Sequence, residues 1–95
     1  MYGRITHFKA DPARLDEMVA RIPTIRQEIA SIAGGVVNWA MWNEDGTGAT
    51  IAVYENEAVA EAATPQIQAI WGGMVELLTE PPQIASFTSA EDLRA

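Results

Sequence analysis

Four side chains carry most of the chemistry this sequence offers: the single histidine His7, the arginine Arg4 beside it, Asn38 among apolar neighbours, and Trp71 in the second half. His7 has the one side chain whose ordinary pKa lies near neutrality, so it is the natural candidate to move a proton. Asn38 must find hydrogen-bond partners or cost about 1–3 kcal/mol, and a ligand oxygen is one such partner. Trp71 offers a flat apolar wall for an aromatic ring. Arg4, on a predicted strand, can reach an anionic substrate, whereas Arg14, Arg21 and Arg26 read as surface ion-pair partners of the acidic excess.

What is absent narrows the classes further. There is no Cys and only one His, which excludes disulfides, thiolate nucleophiles and Cys- or paired-imidazole metal sites, so neither a metal nor a cofactor is expected. Thirteen Asp and Glu against six Lys and Arg leave a net charge of −7. A phosphate backbone or an anionic membrane surface is therefore repelled, and neither nucleic acid nor membrane is expected as a partner. The carboxylates Asp16, Glu17, Glu28, Glu57, Glu61 and Glu76 fall outside the apolar stripes, and no pair of them suits glycoside or protease chemistry. The opening residues carry no apolar leader and no stretch approaches a membrane span, so a cytoplasmic location is expected.

The elements that must position these groups follow from pattern and punctuation. Tyr2 to Lys9 is rich in β-formers and ends at Asp11-Pro12, a helix cap and first turn. Leu15, Met18, Val19, Ile22, Ile25, Ile29 and Ile32 then recur at helical spacing, with Pro23 predicting a kink or two abutting segments before Gly34-Gly35 ends the run. Val36–Trp42 and Ala49–Tyr54 flank the turn residues Asn43 to Gly48 and read as a hairpin. Asn56 caps a second helix, Thr64-Pro65 predicts that it restarts, and Ile67, Ile70, Trp71, Met74, Val75 and Leu78 form its apolar stripe. Gly72-Gly73 weakens that helix, either for close approach of a ligand or backbone, or at a bend. Pro81-Pro82 stops it, and Gln83–Thr88 is a last strand.

The order strand, helix, strand, strand, helix, strand is the split βαβ pattern of a ferredoxin-like α+β domain spanning residues 1–95, with both helices on one face of an antiparallel sheet. The hairpin is apolar on both sides. Trp39, Met41, Ala52 and Tyr54 fall on one face and Asn38, Ala40, Trp42 and Val53 on the other, although a one-residue slip in register would move Tyr54 across. A face without helices would leave a large apolar patch, and a sheet-to-sheet homodimer is its simplest cover.

The length, the topology and several short strings resemble a known group. Tyr2-Gly3-Arg4-Ile5-Thr6-His7-Phe8-Lys9 followed by Asp11-Pro12, the Gly35-Val36 entry to the second strand, and Ile51-Ala52-Val53-Tyr54-Glu55-Asn56-Glu57-Ala58 are similar to the dimeric α+β barrel superfamily, and within it to the antibiotic biosynthesis monooxygenase-like domain. The resemblance implies a homodimer with a pocket between sheet and helices in each subunit. It implies, in catalytic members, a cofactor-free monooxygenase of phenolic or quinol-like substrates, with an Asn, a Trp and a His or Arg in the pocket. Carried to this chain, it makes His7 and Asn38 the catalytic candidates, for proton transfer and for holding an oxyanion. Arg4, Trp42, Ile67, Trp71 and Met74 become the candidates for binding a small aromatic molecule. The haem-degrading branch wants a His in the second helical region, where this chain has none.

Each candidate also has a plainer reading. His7 serves equally as a hydrogen-bonded core or rim residue, Trp71 as core, and Asn38 as a partner of a backbone carbonyl, a water or a dimer mate. Met18, Met41 and Met74 suit cores and adaptable pockets alike. On those readings the protein is a non-catalytic dimeric ligand-binding or stress-related module.

Overall fold

A computed structural model describes residues 1–95. The elements are β1 (Tyr2–Lys9), α1 (Leu15–Ala30), β2 (Gly35–Trp42), β3 (Thr47–Tyr54), α2 (Glu57–Met74) and β4 (Gln83–Phe87), with single 3-10 turns at Pro12–Arg14 and Val75–Leu77. The four strands form one antiparallel sheet in the order β2-β3-β1-β4, with both helices over one face. No helix is long and apolar enough to cross a membrane.

Local chemistry sets the boundaries. The Asp11 carboxylate accepts the Ala13 N–H at 2.9 Å and Pro12 opens the 3-10 turn that leads into α1. The Asn56 side chain accepts the Val59 N–H at 2.9 Å and so caps α2. Gly34, at φ +78°, supplies the left-handed residue between α1 and β2, and its missing side chain leaves room for Val59.

Two expectations need correction. Both helices run through their prolines as single α-helices, which removes the alternative of two abutting segments at Pro23 and the expected restart at Pro65. A proline frees the carbonyl four residues earlier, and here those carbonyls belong to Val19 and Glu61, on the exposed side of each helix where water can serve them. The hairpin register is also offset from the expected one. Thr47 and Gly48 already belong to β3, leaving a turn at Asn43–Gly46 closed by the Gly46 N–H on the Asn43 carbonyl at 3.0 Å. Trp42 therefore pairs with Gly48, and Asn38 with Ala52, so Ala52 and Tyr54 share the face of Asn38, Ala40 and Trp42 while Val53 joins Trp39 and Met41. A bulge between Gly35 and Val37 takes up the difference at the far end.

The core between sheet and helices is in two parts. Phe8, Ala10, Met18, Met74 and Leu77 are buried at one end, and Tyr2, Tyr54, Ala60 and Ala63 at the other. Between them lies the cross-strand pair Thr6 and Thr50, a stretch where neither cluster supplies a large apolar side chain. α1 packs on α2 and on the turn after it more closely than on any strand, and all of β2 on the helix side stays exposed at Asn38, Ala40 and Trp42.

Candidate functional site

Cross-strand register arranges the inner, helix-side face in rows. Arg4, Ala52 and Asn38 form one row across β1, β3 and β2; Thr6, Thr50 and Ala40 form the next; Phe8, Gly48 and Trp42 the third. The middle strand contributes only small side chains, so β3 is a low floor between taller neighbours. Its parity explains this: Gly48, Thr50 and Ala52 point inward, and Ala49, Ile51 and Val53 outward. Neighbouring strands lie about 4.8 Å apart, which puts Arg4 and Asn38 roughly 10 Å from each other across Ala52, about the span of a fused aromatic ring system. Thr50 and Ala52 are only half-buried and Ala40 is exposed, on a face that a filled core would seal.

The ends of this floor differ in character. At one end the Phe8 ring lies over Gly48, where any β-carbon would collide with it, and meets Trp71 of α2 with ring centroids 5.7 Å apart and planes tilted by 50°. Trp42, 37% exposed, closes the outer corner. At the other end Arg4 donates from Nη1 to the Ala60 carbonyl at 3.1 Å and to Thr64 Oγ1 at 3.0 Å, tying β1 to α2, and its guanidinium stands 5.5 Å from the centre of the Tyr2 ring. Tyr54 is 1% exposed, and burial raises its phenol pKa above the ordinary value, with the Arg4 charge pulling weakly the other way.

The structure brings some of the expected residues together and separates others. Arg4, Asn38 and Trp42 share the inner face; Ile67 packs beside the Tyr2 and Tyr54 cluster, and Trp71 beside the Phe8 cluster, on the helix that covers it. His7 is elsewhere. It pairs with Ala49 and Gln83 on the outer face and is exposed, so it cannot act on a group held beside Asn38 and Trp71. The strand period is the reason: an odd-numbered residue of β1 opposes Arg4, Thr6 and Phe8. Met74 is likewise corrected. It is buried with Met18 and Leu77, filling the core rather than lining the floor.

Sequence reasoning missed Tyr54 and the small residues of β3. The available signal was short: Ala52 between Ile51 and Val53, with Gly48 four residues earlier in the same parity.

Two surface depressions are also present. One of about 340 Å³ at the hairpin end of the sheet is bordered by His7, Met41, Trp42, Thr47, Gly48 and Ala49, and so adjoins the floor where Trp42 pairs with Gly48. The other, about 180 Å³, runs between the helices along Arg21, Ile25, Glu28, Ile70 and Met74.

The sequence matches no family model and no curated protein. Solved structures do match over nearly the whole chain. A protein of unknown function from Nitrosomonas europaea superposes with a TM-score of 0.81 at 18% identity, covering 99% of this chain and 94% of that one. A protein from Caulobacter crescentus, provisionally named an antibiotic biosynthesis monooxygenase, gives 0.80 at 18% identity over 95% and 90%. The ActVA-Orf6 monooxygenase of Streptomyces coelicolor, solved with the ligand nanaomycin D, gives 0.74 at 19% identity over 97% and 89%. At these identities the likeness speaks to architecture, and the chain has the ferredoxin-like fold of antibiotic biosynthesis monooxygenase-like proteins.

Proposed function

We propose that the inner face of each subunit binds a flat phenolic or quinol-like molecule and that the protein is a monooxygenase in which dioxygen reacts directly with the bound substrate anion. The observation that carries this reading is the low floor of Gly48, Thr50 and Ala52, open along β2 and flanked by Asn38 on one side and aromatic side chains at one end. The likeness in fold to a monooxygenase solved with nanaomycin D supports it.

On this reading Trp71 and Phe8 supply the ring contact and the Asn38 amide donates to the oxygen on which negative charge builds. For an anthrone, loss of a ring C–H proton gives an enolate; the ring carbon bonds one oxygen atom of dioxygen, the O–O bond then breaks, one oxygen remains as a carbonyl and the other leaves as water. The substrate is oxidised to the quinone and one dioxygen is consumed. No histidine or carboxylate stands on the inner face of the sheet, so the proton leaves to water at the open β2 edge.

The test is oxygen uptake with dithranol, an anthrone, together with quenching of tryptophan fluorescence. The wild type and His7→Ala consume oxygen alike, while Trp71→Ala and Asn38→Ala each lose at least tenfold. A loss in His7→Ala matching that in Asn38→Ala overturns the assignment to the inner face. The absence of a base there favours one second reading, a non-catalytic ligand-binding or stress-related module, which shows quenching by dithranol with no oxygen uptake above the spontaneous rate.

The outer face is proposed as the contact between two copies of the chain. Ile5, Val37, Trp39, Met41, Ile51 and Phe87 make it apolar, with Trp39 69% exposed. In a chain of net charge −7 its strand positions carry no carboxylate, only His7 and Lys9, so two copies can meet here without opposing acids.

A further inference from the structure

We infer that the ligand of the inner face carries an anionic group, a carboxylate or an ionised phenol, and that Arg4 and Tyr54 read it; this deepens the proposed function and rests on it.

The cation at this end of the floor lacks a counter-ion. Arg14, Arg21 and Arg94 each meet a carboxylate, at Glu17, Glu76 and Asp92, and Arg26 is exposed. Arg4 is half-buried and no carboxylate lies within salt-bridge distance of it. It is the one charged side chain on the inner face of the sheet. Its two hydrogen bonds both leave from Nη1, to neutral oxygens on α2, so the edge formed by Nε and Nη2 keeps its donors unfilled. That edge is the one with which a guanidinium holds a carboxylate in two parallel hydrogen bonds.

A second group points the same way. The Tyr54 ring is almost completely buried at this end of the sheet, its hydroxyl is not an orphaned buried group, and the Arg4 charge acts on it. A phenol O–H is a hydrogen-bond donor, and an anion on the Arg4 edge is an acceptor for it. Asn38, across Ala52, then meets an oxygen at the other end of the same ring system.

The chain's overall charge works against an anion, and distance decides which effect prevails. At physiological ionic strength charges beyond about 8 Å are largely screened, whereas a half-buried guanidinium in hydrogen-bond contact is not. Charge-assisted hydrogen bonds are roughly twice as strong as neutral ones. The local contact therefore outweighs the distant repulsion.

The experiment compares hydroxynaphthoic acid with its methyl ester, two ligands of one ring system that differ in charge, by fluorescence and calorimetric titration of the full chain at neutral pH. The acid is expected to bind at least tenfold more tightly. Tyr54→Phe should narrow that ratio about threefold and Arg4→Met should abolish it. Because Arg4 also ties β1 to α2, the wild-type ratio and the Tyr54→Phe ratio decide the matter if Arg4→Met does not fold. Equal binding of acid and ester, or tighter binding of the ester, overturns anion recognition while leaving an aromatic site in place. Binding of neither overturns the aromatic site, and anion recognition with it.

Discussion

The two faces of the sheet are built from the same strands yet prepared for different company. The inner face has a low floor of Gly48, Thr50 and Ala52, with Arg4 and Asn38 astride it and Phe8 and Trp71 at one end. The outer face is level and apolar, from Val37 and Trp39 through Ile51 to Ile5 and Phe87, with Phe87 48% and Trp39 69% exposed. The parity of β3 contributes to both, with Gly48, Thr50 and Ala52 inward and Ile51 and Val53 outward. A face with relief and polar groups suits a small ligand, and a broad apolar face suits another sheet. The chain's one histidine falls on the second, across the sheet from Arg4 and Asn38, a separation that residue types alone did not suggest.

The comparison breaks most visibly if the outer face is given an acid. Trp39→Glu should raise the dimer dissociation constant at least 100-fold, about 3 kcal/mol, by placing like charges in a desolvated contact, while ligand binding within each subunit persists. Light scattering after size exclusion checks it; a chain that is monomeric before the substitution removes the role assigned to this face. On the inner face, raising the floor is the matching experiment. Gly48→Ala puts a β-carbon into the Phe8 ring and the Met41 carbonyl and should cost about 1–3 kcal/mol in a chemical melt, with loss of ligand affinity.

A change of opposite sign lies on α2 above the floor. A β-carbon at Gly72 or Gly73 would meet nothing within 4 Å, so Gly72→Ala and Gly73→Ala should each stabilise the protein by up to about 1 kcal/mol. Destabilisation by either would mean that the helix there needs its glycines for contact.

The smallest effect is one of pH. Burial raises the Tyr54 pKa in the folded chain, so the folded state holds its proton where the unfolded state has lost it. Stability from this source is full below the ordinary tyrosine pKa and is lost as pH rises through the folded value. Tyr54→Phe should flatten that alkaline decline. Glu76 acts in the other direction: hydrogen bonding and charge from Arg21 hold its carboxyl below the ordinary value, so its contribution is present above that value and fades as pH falls through the folded one.

Much of the fold was legible because its signals are local. Asp11-Pro12, Asn56 and Gly34 act on the backbone beside them, and apolar spacing marked the strands and helices. The prolines misled because whether a freed carbonyl can be served depends on which side of the helix meets water, a tertiary fact. The site was legible only in part, for a related reason. Parity along β1 opposed His7 to Arg4 in plain view, but which face the helices cover, and which partners β2 and β3 choose across a turn of four residues rather than six, is settled by packing. Tyr54 went unrecognised because its side depended on that register.

The most direct test of where the chemistry lies is a nuclear magnetic resonance titration of isotope-labelled protein with hydroxynaphthoic acid. Shifts are expected to concentrate at Arg4, Asn38, Thr50 and Ala52 and at the Trp71 indole N–H, with His7, Trp39 and Val53 unmoved. Shifts gathered instead around His7, Met41 and Ala49 would place the ligand on the outer face and contradict the assignment to the inner face.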